Sequence, residues 1–249
     1  MSRCLIGEST NLISIVVPTL NEAAIIKETI SQVKKSGRDT LVEIIVVDGG
    51  SRDATMEIAS SGGAKVIGSA GGRACQMNAG AKVAAGDVLL FLHADTRLPD
   101  RFDVLVRQTL ATAGVVAGAF ELKIDAPGWG LRLVEKGVNW RSRLLAMPYG
   151  DQAIFLPASV FWQLGGFREL PIMEDFELVL RLRRLGLMGI APAPVVTSAR
   201  RWQALGVVKT TAINQYMILG YYLGVSKARL AQWYRGKKPE PPDNPSLPL

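Results

Sequence analysis

Four acidic side chains stand where an apolar stretch gives way to a polar loop. Asp48 closes the run at residues 42–47 (VEIIVV). Asp95 ends the stretch Leu89-Leu90-Phe91-Leu92-His93-Ala94-Asp95. Glu174 and Asp175 come just before a segment of helical spacing. A carboxylate at the position of Asp48 can accept hydrogen bonds from a base N–H or a ribose hydroxyl, or hold its own turn. The glycines that follow, Gly49 and Gly50, let a ligand approach the backbone closely. Asp95 has the chemistry of a Mg²⁺ or Mn²⁺ ligand, because such cations bind through one or two carboxylates plus substrate phosphates. Read alone, it also suits a helix cap. His93 is the only histidine; its place beside Asp95 puts it on the wall of the same site. Asp175, with Glu174 beside it, suits a general base that deprotonates an acceptor hydroxyl. Two acids at a helix start also stabilise that helix without any function.

Cations complement these acids. Arg73 follows Gly71-Gly72 at the start of a helix, and a guanidinium at a helix N-terminus is a phosphate-binding arrangement. Arg200-Arg201-Trp202 offers cationic and aromatic surface to a diphosphate or an acceptor.

The elements that must position these groups can be read from hydropathy. Strands are expected at residues 13–17, 42–47, 64–68 and 88–92, and helices at 23–35, 54–60 and 74–85, with Ser51 or Asp53 capping the second helix. Strand and helix alternate, and the strands are mostly apolar, so the expectation is a parallel sheet covered on both faces. Ligands of such sheets bind beyond the carboxyl ends of the strands, where Asp48 and Asp95 lie. After Asp95 the spacing predicts helices at 99–112, 127–145 and 157–164. It predicts strands at 115–124, 151–156 and 195–199. A helix after Asp175 has a basic face of Arg181, Arg183 and Arg184. A helical pair at 207–223 and 227–233 precedes a proline-rich, disordered tail at 237–249.

Composition limits the functional classes. With 249 residues and 48% hydrophobic content, one α/β domain with a full core is expected. No stretch reaches the ~20 apolar residues that span a bilayer, and residues 1–11 lack a signal-peptide pattern. Cys4 and Cys75 share no metal-ligand spacing, which fits a reducing, cytoplasmic setting. Of the net charge of +7, residues 200–249 carry +6. That end can meet anionic lipid, nucleic acid or an acidic partner, or simply be a solvated tail. No GxGxxG fingerprint follows the first strands, so a nicotinamide cofactor or methyl donor loses its usual support.

Together these motifs resemble the family 2 glycosyltransferases with the GT-A fold. The resemblance rests on Val16-Val17-Pro18-Thr19-Leu20-Asn21-Glu22, Val46-Val47-Asp48-Gly49-Gly50-Ser51 and Asn78-Ala79-Gly80. It continues through Phe91-Leu92-His93-Ala94-Asp95 and Gly165-Gly166-Phe167 with Glu174-Asp175, covering residues 13–202. The run Arg73-Ala74-Cys75-Gln76-Met77-Asn78-Ala79-Gly80 is similar to a small soluble bacterial subgroup found beside radical-SAM or arsenosugar genes.

The resemblance implies a Rossmann-like, mostly parallel central sheet with helices on both faces and a C-terminal helical extension. Residues 1–202 would form the GT-A domain and 203–249 the basic extension and tail, with the globular unit reaching about residue 235. It further implies an inverting transfer from a nucleotide-sugar donor, usually UDP-linked, to a hydroxyl acceptor that a lipid can carry. Pro18, Thr19, Glu22, Asp48 and Gly49 would bind the nucleoside and Arg73 its base or phosphates. Asp95 would hold Mn²⁺ or Mg²⁺, Asp175 would be the base, and Glu174 would orient the acceptor. His93, Arg200, Arg201 and Trp202 would contact donor or acceptor; nucleic acid is not an expected partner. The chain departs from the family's DxD at His93, where the first carboxylate is missing. Ser198 stands in the glutamine position of the QxxRW motif, so the resemblance does not extend to processive synthesis.

Two rivals remain at this point. A nucleotidyltransferase of sugar phosphates would place a glycine-rich basic loop where Pro18-Thr19-Leu20-Asn21-Glu22 stands. A non-catalytic docking module for membrane or nucleic acid would use residues 200–249 alone.

Overall fold

Mostly apolar runs bury both faces, and here they build the middle of one sheet. The computed structural model describes residues 11–37, 41–69 and 71–234; the proline-rich stretch 237–249 lies outside them. The first strands are β1 (Leu12–Thr19), β2 (Leu41–Asp48), β3 (Lys65–Gly68) and β4 (Val88–Phe91). They alternate with α1 (Ile26–Ser36), α2 (Thr55–Ser61) and α3 (Gly72–Lys82). β1 pairs in parallel with β2 and β4, and β2 with β3.

Successive residues of β1 and β2 enter opposite cores. Ile13, Ile15, Val17 and Val46 join one cluster, and Val16, Ile45 and Val47 the other. Each such fully buried side chain contributes about 1.5–3 kcal/mol. Gly80 lets α3 lie flat on this second face: a Cβ there would stand 2.4 Å from Val16 and 2.9 Å from Val47.

The second half adds β5 (Thr96–Arg97), β6 (Val115–Asp125), β7 (Phe155–Pro157) and β8 (Leu187–Ser198). The order across the eight-stranded sheet is β3-β2-β1-β4-β7-β6-β8-β5. β7 is antiparallel to both β4 and β6, and β5 to β8, while β6 and β8 are parallel. The helices are α4 (Phe102–Leu110), α5 (Trp129–Leu145), α6 (Ala158–Gln163), α7 (Glu174–Leu185), α8 (Arg200–Leu205), α9 (Val207–Tyr222) and α10 (Lys227–Tyr234).

Several expectations need correction. The strand at 151–156 begins only at Phe155, because Gly150–Gln152 is a 3-10 turn. Its Gln152 amide donates to the Phe120 carbonyl (2.8 Å) and accepts from Ser142 (2.8 Å), bonds that a ladder residue would not make. The last strand is much longer than 195–199. Pro192 and Pro194 read as a loop, yet β8 admits them through a bulge opposite Phe120 and Glu121. β5 and α8 carry no periodic signal because they are too short. The basic face of α7 does not exist as one surface. Arg181 turns inward onto Glu177 and the carbonyls of Leu164 and Gly166, while Arg183 and Arg184 stay exposed. At α2, Asp53 rather than Ser51 meets the helix start, accepting from the Thr55 N–H at 3.1 Å.

Candidate active site

The site gathers at the carboxyl edge of β1, β2 and β4. The loops after β1 and β2 are tied together by side chains. Asn21, in the left-handed region at φ 55°, accepts from the Arg52 N–H, while Ser51 accepts from the Asn21 N–H. The Glu22 N–H donates to Thr55 and the Ala23 N–H to Asp53. Gln76 of α3 closes the bottom, donating 2.8 Å bonds to the carbonyls of Thr19 and Val47. Gln76 also abuts Gly49, where a Cβ would be 2.9 Å from its amide nitrogen. Asp48 is buried, and it is engaged by its own turn. It accepts from the N–H groups of Gly50 (2.9 Å) and Ser51 (2.8 Å) and from the Ser51 hydroxyl (2.5 Å). Each carboxylate oxygen has two lone pairs, so capacity for a ligand remains.

Beyond β4 the chain is pinned at two carbonyls. Thr29 donates to Ala94 (2.5 Å), and the Ser198 N–H donates to Asp95 (3.1 Å). The second bond brings the end of β8 to Asp95 and delivers Arg200 from the first turn of α8. The Arg200 guanidinium lies 3.0 Å from Asp95 and 3.4 Å from both oxygens of Glu22. Asp95 thereby raises the Arg200 pKa, with Glu22 adding to the effect.

Among the described residues no three His, Cys, Asp or Glu side chains converge as a metal cage. The donor set fits a divalent ion of the Mg²⁺ or Mn²⁺ kind all the same. Asp95 and Glu22 already hold one positive group between them, and such ions take their remaining ligands from phosphate and water.

A second group forms around the N-terminus of α7. A pocket of about 170 Å³ is lined by Arg73, His93, Tyr149, Asp151, Glu174 and Asp175, with Met217 and Ile218 of α9 as its apolar wall. A narrow cleft running to Pro18 shares Arg73, His93, Glu174 and Asp175. Asp175 is fixed by the Gly150 N–H (2.6 Å) and by its own helix at the Phe176 N–H (2.7 Å). Glu174 is buried and pairs with Arg73 at 3.8 Å. Burial and Asp175 raise its pKa against the pull of Arg73. Met173, just ahead, holds φ 66°, a conformation that costs a non-glycine residue about 1–3 kcal/mol. His93 is held neutral: burial, then Arg73, push its pKa down to about 3.

The floor is aromatic. Phe91 packs on Phe161 and Phe167 at 5.3 and 4.8 Å between ring centres. The Gly165-Gly166-Phe167 turn is held on one side by Asn78, which exchanges bonds of 2.9 and 2.8 Å with the Phe167 backbone. Arg181 holds it on the other.

Thus Arg73, His93, Glu174 and Asp175 share one pocket, while Glu22, Asp95 and Arg200 form a charged cluster. Pro18 links to the pocket through the cleft. The anticipated unit Arg200-Arg201-Trp202 divides. Arg201 lies 3.8 Å over the ring of Tyr234, and Trp202 packs against the first core cluster.

Sequence reading missed Asp151, Tyr149, Arg141 and Gln76. Burial pushes the Asp151 pKa up to about 6, against the pull of Arg141 and with help from Asp175, and its Oδ1 has no hydrogen-bond partner among the described residues. Arg141 sits 3.6 Å over the Tyr149 ring. The available signal was the polar set Tyr149-Gly150-Asp151-Gln152 placed directly before a buried run.

Residues 14–157 match the family described as Glycosyl transferase family 2. An uncharacterized glycosyltransferase of Rickettsia felis is 28% identical over 193 residues, covering 70% of this chain and 32% of its own. The chain therefore spans about a third of the length of the curated relatives it matches. Among solved structures, the mannosyltransferase PcManGT of Pyrobaculum calidifontis, in complex with GDP-Man and Mn²⁺, superposes with a TM-score of 0.59. It is 21% identical, over 75% of this chain and 56% of that one. TarS of S. aureus in complex with UDP-GlcNAc gives a TM-score of 0.60 at 18% identity, over 75% and 58%. The fold is that of the GT-A glycosyltransferases.

Proposed function

This chain belongs to glycosyl transferase family 2, and we propose that it moves a sugar from a UDP-linked donor to a hydroxyl acceptor with inversion at the anomeric carbon. The observation that carries the reading is the pocket at the N-terminus of α7. There Asp175 is held by two backbone N–H groups beside Glu174, Arg73 and His93.

In this reading the loops carrying Pro18, Thr19, Glu22, Asp48 and Gly49 hold the nucleoside, and Asp48 keeps its turn in shape for it. Asp175 accepts the proton of the acceptor hydroxyl as that oxygen attacks the anomeric carbon and the bond to the diphosphate breaks. Glu174, anchored by Arg73, orients the acceptor. Asp95, with Glu22 beside it, would hold Mn²⁺ or Mg²⁺, which when bound supplies positive charge to the departing diphosphate. Arg200 is the protein's own cation at that place. His93 is a neutral wall residue where relatives of the DxD type carry a first acid. Met217 and Ile218 give the acceptor an apolar surface. GDP-Man in PcManGT and UDP-GlcNAc in TarS support a nucleotide-sugar donor.

The same reading places the protein in the cytoplasm, with residues 200–249 meeting the inner face of an anionic membrane where a lipid-linked acceptor is presented. Among the described residues no helix is long and apolar enough to cross a bilayer.

The test is Asp175→Asn. Binding of UDP-sugar by calorimetry should stay within about 3-fold of the wild type, and transfer should fall about 10²- to 10⁴-fold, the range of a lost general base. Transfer at the wild-type rate removes Asp175 from the role of base. Release of pyrophosphate instead of UDP makes the reaction nucleotidyl transfer.

A further inference from the structure

We propose that α5 is a membrane-surface helix that docks this protein on an anionic lipid bilayer. The helix is apolar on two sides, with Val134 and Val138 packed on the core. Its inner side holds Leu131, Glu135 and Ser142 in the fold. Its outward side carries Trp129 (81% exposed), Leu133 (58%), Trp140 (63%) and Leu144 (65%). At 100° per residue these four positions, together with Lys136 and Arg143, fall within one arc of about 120°. From Trp129 to Leu144 the stripe is ~22 Å long at 1.5 Å per residue.

Charge selects the occupant. The only acid of α5, Glu135, points inward, where it accepts from the Ile124 N–H (2.5 Å) and pairs with Arg132 (2.9 Å). The exposed side therefore carries cations and no acid. Arg143 lies at its margin, paired with Glu121. α9 continues the surface with exposed Val208, Leu219 and Tyr222 beside Lys209, and the two helices meet where Gly130 faces Val207. Residues 178–239 contain no aspartate or glutamate and 11 basic residues.

An apolar stripe with tryptophan near both ends and cations beside it is how a helix lies in a headgroup layer. The rings and leucines reach the acyl boundary, and the lysines and arginines meet lipid phosphate. A second copy of the chain is a poor occupant, because a two-fold contact would set this positive surface against itself. The α5 stripe is independent of the donor chemistry and adjoins the C-terminal basic segment through α9.

The experiment is co-sedimentation of the full chain with vesicles of phosphatidylcholine alone and of phosphatidylcholine with 30% phosphatidylglycerol. The anionic vesicles should bind at least 10-fold more strongly, and less so in high salt. The double variant Trp129→Ala/Trp140→Ala should lose at least 10-fold in partitioning. Its thermal unfolding and its turnover of a soluble acceptor should match the wild type, since both rings are solvent-exposed. A second variant, Leu133→Glu/Leu144→Glu, should bind no vesicles. The proposal is overturned if the wild type ignores anionic vesicles, or if either variant binds them like the wild type. It is equally overturned if light scattering finds a wild-type dimer that the tryptophan variant converts to monomer.

Discussion

Asp151 offers the sharpest quantitative test of the pocket, because its cost can be worked from its surroundings. An acid pushed from 3.8 to about 6 by burial resists ionisation by about 3 kcal/mol at most, at 1.36 kcal/mol per pH unit. Its folded pKa lies above its unfolded one. The stability it contributes is therefore fully present below pH ~4 and lost as the pH rises through ~6. Between pH 5 and pH 8 the loss amounts to roughly 1 kcal/mol. Asp151→Asn keeps the shape and removes the titration. Urea unfolding of both proteins at the two pH values gives the contrast. With an m-value of about 2–3 kcal/mol per molar, the variant's midpoint should gain about 0.5 M on the wild type between pH 5 and pH 8. Any constant effect of the substitution, including a new bond for the orphaned Oδ1 position, cancels in this difference. Midpoints that move in parallel with pH would refute the placement of a buried carboxyl in this pocket.

Two further outcomes follow from the charged cluster and the loop brace. Arg200→Gln should tighten Mn²⁺ binding in the absence of nucleotide by about 2- to 30-fold, since it frees Asp95 and Glu22 from an exposed ion pair worth about 0.2–1 kcal/mol per partner. Calorimetry showing weaker metal binding would mean that the guanidinium and the metal do not share a place. Gln76→Leu should cost about 1–3 kcal/mol in urea unfolding, because the buried carbonyls of Thr19 and Val47 lose their 2.8 Å donor. It should also raise the donor KM by loosening both nucleoside loops; an unchanged KM would confine Gln76 to a structural part.

The first half of the fold was legible because β1, most of β2 and β4 are buried on both faces and each crossover is a helix. Ile13, Ile15 and Ile45 have no exposed surface, and such runs have no other economical home. The second half obeys tertiary rules that leave weaker traces. β7 is three residues long and exists only because β4 and β6 flank it. β8 contains two prolines that a local reading takes as a break.

The site shows the same division. Glu174 and Asp175 begin a helix and Asp95 closes an apolar stretch, so their place at the edge of the sheet could be foreseen. Asp151 was taken for a strand residue, and nothing local says that Gly150 will donate to Asp175 across 25 positions. Trp202 was read as ligand surface from its neighbours Arg200 and Arg201, but the register of α8 turns it toward the core. Asn78 and Gly80 were noticed as motif residues. Their work turns out to be mechanical: one ties down the Phe167 turn and the other admits α3 against β1.

The wall of the pocket comes from far downstream in the chain. The loops around Asp48 and the stretch ending in Asp95 are built by residues before 96, whereas Met217 and Ile218 belong to α9. One consequence is evolutionary. Under the proposed function, the part of the acceptor wall that α9 contributes can change while strands β1 to β4, and the loop brace they carry, stay as they are. Divergence of acceptor range among relatives should then concentrate in the segment Val207–Tyr222, and exchange of that segment alone is the natural unit for grafting one member's acceptor preference onto another.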